Sequence, residues 1–334
     1  MQRPRIIDLA QLLGLSSATV SRALRDMPNV TPSTKKLVAN KAKEIGYQTN
    51  HVARALRNQR TSNIAIIVPS ISNPFFQMLI ERVEHYASKQ GLNLFLCDSR
   101  NDPKIEIIKI REVLKSNVAG ILISPCNSIE NVDAIRELAE LGRLVQIDRR
   151  VDVDGIAWVG LDDNHAMQTI VQHLADKGVK TAAFVTSTLG SSSARLRQKY
   201  VLAHSKSQGI TISKSSLLDG DFSIEWGIEA ARIISTSDTL PDAIICSSDV
   251  IALGLISELV KRNIRVPQDV LVTGLDNISF TSLFSPTLTT FAQPLGEIAE
   301  AALDFLNEHK LNRKSKIAIK GHLVARESTG EIAT

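Results

Sequence analysis

From Ile64 onward the chain alternates short, β-rich apolar runs with stretches of helical spacing, and this alternation narrows the available folds more than any other feature. The runs are Ile64 to Val68, Leu92 to Cys97, Ala119 to Ser124, Leu144 to Ile147, Ala182 to Thr186, Ala243 to Cys246 and Val270 to Thr273. Near-continuous apolar strands separated by helices call for parallel sheets covered on both faces. The runs are too many for one compact sheet, so the pattern predicts an α/β body of two doubly wound parallel-sheet lobes. None approaches the roughly 20 residues that span a bilayer, which reads as a soluble protein with no membrane partner. The opening Met1-Gln-Arg-Pro-Arg-Ile-Ile-Asp turns polar before a signal peptide could develop. Cys97, Cys126 and Cys246 each end an apolar run and are read as reduced, strand-buried thiols. Both features point to a cytoplasmic location.

Charge separates a head from this body. The whole chain carries a net +4, but residues 1–60 hold eleven Lys and Arg against Asp8, Asp26 and Glu44, a net +8, leaving −4 for the remainder. A basic head on a mildly acidic body suits a polyanion partner. Its spacing predicts three helices. Ile6, Leu9, Ala10, Leu12 and Leu13 form one apolar face that Gly14 ends. Ser16 stands as the N-cap of a second helix, Ser17 to Arg25. Val20, Ala23 and Leu24 of that helix turn inward, leaving Ser17, Ala18, Ser21, Arg22 and Arg25 outward. Thr31-Pro32 opens a third helix with Leu37, Val38, Ala42 and Ile45 on its face, closed by Gly46. This is the order of a helix-turn-helix, although a generic three-helix bundle meets the same spacing. In the former, the second helix enters the major groove, with Arg22 able to bond guanine and Ser17 and Ala18 facing neighbouring bases. Residues 47–62 are a linker with a short helical core from about Val52 to Arg57. Leu56 among Arg54, Arg57 and Arg60 suits either a minor-groove wedge or a cover for the body.

Ligands of doubly wound sheets lie beyond the carboxyl ends of the strands. There this chain has Ser70-Ile-Ser-Asn-Pro-Phe-Phe76, Asp98-Ser-Arg, Ser124-Pro-Cys, Asp148-Arg149, Ser247-Ser-Asp249 and Asp276-Asn277, with Arg195 and Arg197 after a Gly190-Ser-Ser-Ser loop. About half of the Asp and Ser would be helix caps. Collectively, carboxylates, guanidinium groups, hydroxyls and phenyl rings form the mix a sugar requires. There is no GxGxxG, GxxxxGK[ST], HExxH, CxxC or GxSxG, so no catalytic residue and no cofactor is assigned. Asp152-Val-Asp-Gly155 faintly resembles a calcium loop, but Arg150 and Leu161 stand where its first and twelfth ligands belong, so no metal is expected.

Gly14-Leu-Ser-Ser-Ala-Thr-Val-Ser-Arg22-Ala-Leu, Asn29-Val, Gly46-Tyr47, Asn50 and Val52-Ala-Arg-Ala-Leu56 resemble the head and hinge of the lactose-repressor/galactose-repressor family of bacterial transcription regulators. The resemblance continues through Ser72-Asn-Pro-Phe-Phe76, Asp148-Arg149, Gly220-Asp-Phe222, Ser248-Asp249, Val266-Pro267, Gly274-Leu-Asp276, Leu288 to Pro294 and Arg326-Glu-Ser-Thr-Gly330. It implies a dimeric repressor on a pseudo-palindromic operator: a head at 1–46, a hinge at 47–62, and at 63–334 a body similar to periplasmic sugar-binding proteins, crossed between lobes near Gly160, Phe291 and Leu323. Carried over by position, Ser17, Ala18 and Arg22 read bases. Ser16, Thr19, Ser21, Asn29, Tyr47 and Asn50 touch backbone or groove, with Ala53 and Leu56 on the hinge helix. Phe75, Phe76, Asp148, Arg197, Phe222 and Asp276, with Ser124 and Ser248, match effector-contacting positions.

The chain departs from the family pattern at Arg5 (no hydroxyl cap), Thr49 (no hinge proline), Tyr200 and Val201 (no glycine and aromatic, altering the pocket wall) and Ser248 (no Asn). No apolar heptad follows Gly330, so dimers are expected rather than tetramers. The resulting expectation is a repressor of carbohydrate-utilisation genes, not an enzyme, governed by a small sugar or sugar derivative. A purine-type co-repressor sensor and a cytoplasmic carbohydrate-modifying enzyme with a DNA-binding head are the alternatives.

Overall fold

The computed structural model describes residues 4, 6–24, 26–45, 47, 61–141, 143–237, 239–307 and 315–331. The chain divides into two compact units, 1–61 and 62–334. The first holds α1 (Ile6–Leu13), α2 (Ser17–Leu24) and α3 (Pro32–Glu44). α1 stops at Gly14, whose φ of +62° is a left-handed turn that a Cβ would strain. α2 starts where the Ser16 hydroxyl accepts from the Thr19 amide at 3.1 Å. α3 begins with Pro32 in its first turn, behind a Thr31 hydroxyl that accepts from the Thr34 amide at 3.3 Å. Leu9, Val20 and Val38, one from each helix, are fully buried at the centre of the head, with Ala10, Ala23 and Ala42 around them. Two residues expected in this core are not in it: Leu12 and Leu37 are 58% and 53% exposed. Ile6, Leu9, Ala10 and Leu13, and likewise Val38, Ala42 and Ile45, share inward stripes at i, i+3, i+4, i+7 spacing, and Leu12 and Leu37 fall outside them.

The second unit contains two six-stranded sheets. The first lobe opens with β1 (Asn63–Val68), α4 (Pro74–Lys89), β2 (Asn93–Asp98), α5 (Pro103–Lys115) and β3 (Gly120–Ile123). It continues with α6 (Val132–Leu141), β4 (Leu144–Ile147) and β5 (Ala157–Leu161). The chain then leaves for the second lobe, which runs α7 (Asp163–Asp176), β6 (Ala182–Ser187), α8 (Ser192–Ser207), β7 (Leu217–Gly220), α9 (Ile224–Ser235) and β8 (Ala243–Cys246). α10 (Asp249–Lys261), β9 (Leu271–Asp276) and β10 (Thr289–Ala292) complete that pass. α11 (Leu295–Asn307) and β11 (Lys316–Ile319) return to the first lobe, and β12 (His322–Val324) ends in the second. Strand orders are β11-β5-β4-β3-β1-β2 and β12-β10-β9-β8-β6-β7, every pairing parallel except β10 with β12.

Three crossings between the sheets, after Leu161, after Ala292 and between Ile319 and His322, join the lobes side by side. Alternate residues of one strand feed the two faces. Ile64, Ile66 and Val68 pack against Leu79 and Val83 of α4 and against Leu303 of α11, whereas Ala65 and Ile67 meet Ile110 of α5 and Ile135 of α6. The second lobe repeats the scheme, with α9 and α10 on one face and α7 and α8 on the other.

Five strands lie outside the apolar runs: β5, β7, β10, β11 and β12. β7, β11 and β12 stand at or next to sheet edges, where a strand needs no continuous apolar run. β2 was expected to be covered, but it is an edge strand with Phe95 and Leu96 each 45% exposed and Cys97 only half-buried. Cys126 is buried, in the loop beyond β3 rather than in a strand, and all three thiols are free.

Candidate functional site

In the head, Ser17, Ala18 and Asn29 are exposed, and Thr19, Ser21, Arg22 and Tyr47 are partly exposed. Val20 and Ala23, on the opposite face of α2, are buried, so packing leaves the first face uncovered. The Arg22 guanidinium folds back along α2, its Nε donating to the Ala18 carbonyl at 3.3 Å. This weak contact leaves its outer donors for another acceptor. The hydroxyls of Ser16 and Thr19 are bonded to each other at 2.8 Å, and Tyr47 packs on the head core. Asn50, Ala53 and Leu56, with Arg5 and Thr49, lie outside the described residues.

In the body, the carboxyl ends of the two sheets face a shared cleft. The first lobe contributes Asn73, Phe75, Phe76, Asp148 and Arg149; the second contributes Ser193, Arg197, Phe222 and Asp276; Gln293 reaches in from a crossing. Asn73 caps α4, accepting from the Phe75 amide at 3.0 Å, which turns the two phenyl rings to the mouth with their centroids 5.0 Å apart. Asp148 and Asp276 terminate their sheet strands with φ of +62° and +121°, conformations that non-glycine residues adopt at a cost.

Arg149 crosses the cleft. Its guanidinium lies 4.8 Å from the Phe222 ring centroid and 5.5 Å from that of Phe76, so the two lobes sandwich it by cation–π contacts. Arg197 is anchored more conventionally, with Nε 2.9 Å from Asp163 Oδ1 and Nη1 donating to the Ser247 carbonyl at 2.8 Å.

Electrostatics follow from burial. Desolvation pushes the Asp148 carboxyl up despite Arg149, Arg197 and the Ser124 hydroxyl that donates to it at 3.2 Å. Burial also holds Asp276 well above the usual carboxylate range, opposed by Arg197 and by Gln293, whose Nε2 donates to Oδ1 at 2.7 Å. Asp276 accepts one protein hydrogen bond and Asp148 two, from the Ser124 hydroxyl and the Arg149 amide, and each retains capacity for a ligand hydroxyl. At the cleft's edge the loop beyond β3 touches the loop beyond β6. Ser128 Oγ donates to the Gly190 carbonyl at 2.8 Å, Arg195 Nη2 donates to Ser128 Oγ at 2.8 Å, and the Arg150 amide donates to Ser192 Oγ at 2.9 Å.

Two family descriptions match the chain: bacterial regulatory proteins of the lacI family over residues 5–50, and a periplasmic binding protein-like domain over residues 171–329. Catabolite control protein A of Priestia megaterium is 32% identical over 91% of this chain and 92% of its own. The chain belongs to the lacI family of bacterial regulatory proteins. Another relative, the HTH-type transcriptional repressor PurR of Pasteurella multocida, is 31% identical over 97% of this chain and 98% of its own. The fold matches a lac repressor dimer bound to operator and the anti-inducer ONPF with a TM-score of 0.88, at 22% identity, over 98% of this chain and 99% of that one. As a lacI-family member the protein is a DNA-binding transcriptional regulator.

Of the eight positions assigned to an effector, six line the cleft together: Phe75, Phe76, Asp148, Arg197, Phe222 and Asp276. Ser124 and Ser248 do not. Ser124 stands behind Asp148 as its hydrogen-bond donor, and Ser248 is buried at the start of α10 with its hydroxyl unpartnered. Tyr200 and Val201 are absent from the cleft wall; both turn away from it onto the core between α7, α8 and the second sheet. Asn73, Arg149, Ser193 and Gln293 were not assigned, although each lies within a segment already noted for its family resemblance or its position beyond a strand. Asp163, the partner of Arg197, carried no sequence signal because the pairing spans 34 residues and two helices. Among the described residues no cluster of three His, Cys, Asp or Glu is placed to hold a metal ion, and no helix is long and apolar enough to cross a membrane.

Proposed function

We propose that this lacI-family protein is a cytoplasmic homodimeric repressor of carbohydrate-utilisation genes, and that a small sugar or sugar derivative bound between its lobes controls its hold on a pseudo-palindromic operator. The observation that carries this reading is the convergence of two carboxylates, Asp148 and Asp276, with the phenyl rings of Phe75, Phe76 and Phe222 on one cleft. Carboxylates accept from vicinal hydroxyls, and an aromatic face covers the C–H side of a sugar ring. The exposed small residues Ser17 and Ala18 beside Arg22 support base reading by α2.

Ligand and operator are linked: whatever factor the effector applies to operator affinity, operator applies to effector affinity. The test is fluorescence anisotropy on a labelled palindromic operator, with candidate sugars added. A sugar that changes operator affinity supports the reading; a sugar that binds without changing it removes the regulatory role. A second reading, a purine-type co-repressor sensor, is favoured by the relatives named PurR and by the three rings, which stack a base as readily as a sugar. Calorimetry with hypoxanthine and guanine against sugars separates the two.

A further inference from the structure

We infer that the cleft selects a hydroxylated ligand bearing an oxyanion, a carboxylate or a phosphate, and that Arg149 is the residue that grips it. This rests on the effector reading above and narrows its ligand class. Arg149 is 4% exposed, yet its guanidinium makes no hydrogen bond to any described residue. The nearest carboxylate oxygen, Asp148 Oδ2, is 3.8 Å from Nε, beyond hydrogen-bond reach, and two phenyl rings hold the group in place. Five N–H donors in a fixed fork thus have no protein acceptor on a side chain that is almost wholly buried, and an acceptor placed in the cleft would meet them. Arg197 shows the contrast: it is 3% exposed and engaged by Asp163 and the Ser247 carbonyl.

A second feature faces the same space. α8 is a sixteen-residue helix whose N-cap, Ser191, makes no side-chain bond to the first-turn amides, because its hydroxyl is bonded to that of Ser193 at 2.9 Å. Ser193 lines the cleft with Arg149. Free amides and the positive end of the helix dipole favour an anion there. Asp148 and Asp276 would repel a bare anion but accept from hydroxyls, so the fitting ligand carries both kinds of group. A neutral sugar answers the carboxylates and offers the Arg149 donors only uncharged hydroxyl acceptors, which bond a cation less strongly than an oxyanion does; a nucleobase answers the rings and brings no charge.

The test uses the full chain with inorganic phosphate as the probe and chloride at equal ionic strength as the reference, in wild type, Arg149→Met and Arg149→Lys. Exchanging a buried guanidinium without hydrogen bonds for an apolar chain of similar length preserves folding, which the unfolding midpoint in chloride checks. The expected result is a phosphate-specific rise in the wild-type midpoint that is lost in Arg149→Met and partly kept in Arg149→Lys. No rise in wild type, or the same rise in all three proteins, overturns the inference. Gluconate and glucose 6-phosphate are then compared with glucose and hypoxanthine by calorimetry. One of the two anions should bind about tenfold or more tighter than glucose, and only with Arg149 present, as expected for a charge-assisted hydrogen bond. Glucose binding that is as tight as either anion's and indifferent to Arg149→Met overturns the anion and leaves the sugar effector standing. Hypoxanthine binding indifferent to that variant overturns both.

Discussion

Asp276 illustrates how a binding group burdens the fold that holds it. Its carboxyl is buried, sits on a left-handed backbone and is pushed well above the usual carboxylate range by desolvation. Asp249, also buried, is raised to about 6 for the same reason, against hydrogen bonds from Thr290 and the Ile278 amide. A carboxyl whose folded pKa exceeds its unfolded one lends full stability below the unfolded value, near 4, and loses it as pH rises through the folded value. The ligand-free body should therefore lose stability between about pH 4 and pH 6 and beyond. Asp276→Asn keeps the oxygen that accepts from Gln293 and removes the charge. It should stabilise the ligand-free protein at pH 7 by about 1 kcal/mol or more, flatten that pH dependence and abolish the effector response while operator binding persists. Urea unfolding across pH and operator titrations check the two halves. In the head, Arg22→Ala should cost about 1–3 kcal/mol on the cognate operator and relax one base position; an equal loss on random DNA would refute base reading.

At the scale of elements, α9 and α10 meet by a reciprocal close approach. A Cβ added at Gly254 would fall on the Ile224 carbonyl oxygen, and one at Gly227 on that of Ile251. Two glycines, each three residues from the carbonyl its partner approaches, let the helix backbones touch across the crossing. Gly254→Ala should therefore destabilise by about 2 kcal/mol or more through backbone displacement. Gly178→Ala, at a φ of +82° with open space around it, should cost only about 1 kcal/mol. Denaturant midpoints of the two variants decide between these mechanisms. Elements differed in how far sequence revealed them. Central strands such as β1 from Ile64 onward, β3 and β8 are buried and show as unbroken apolar runs. The caps Ser16 and Thr31 declare their helices by local chemistry. β11 and β12 leave no such trace, because their pairing with β5 and β10 joins residues far apart in the chain.

For the whole molecule, each lobe of the body carries apolar side chains in the open. Phe280, Leu283 and Phe284 are 48%, 77% and 44% exposed within one loop of the second lobe, and Phe95 and Leu96 stand on the first lobe's edge strand. Contiguous exposed apolar residues of this size are a hallmark of association surfaces. Leu283→Asp should shift the protein toward monomer in analytical ultracentrifugation and weaken operator binding with it, since a pseudo-palindrome needs two heads; an unchanged dimer that binds operator fully would exclude this loop from the interface. Read by itself, the sequence determined the architecture and the head's helices and placed Phe75, Phe76, Asp148, Arg197 and Asp276 beyond strand ends, whereas Phe222 entered only through the family resemblance. These are written in local currency: apolar periodicity, caps, and side chains placed just beyond strand ends. Tertiary structure alone decided that Arg149 lies between rings of opposite lobes, that Arg197 is tied to Asp163, that Ser124 serves Asp148, and that Tyr200 faces the core. Each of those facts depends on how residues far apart in the chain are brought together, within a lobe by the strand order and between lobes by the three chain crossings, and no local pattern encodes those distances.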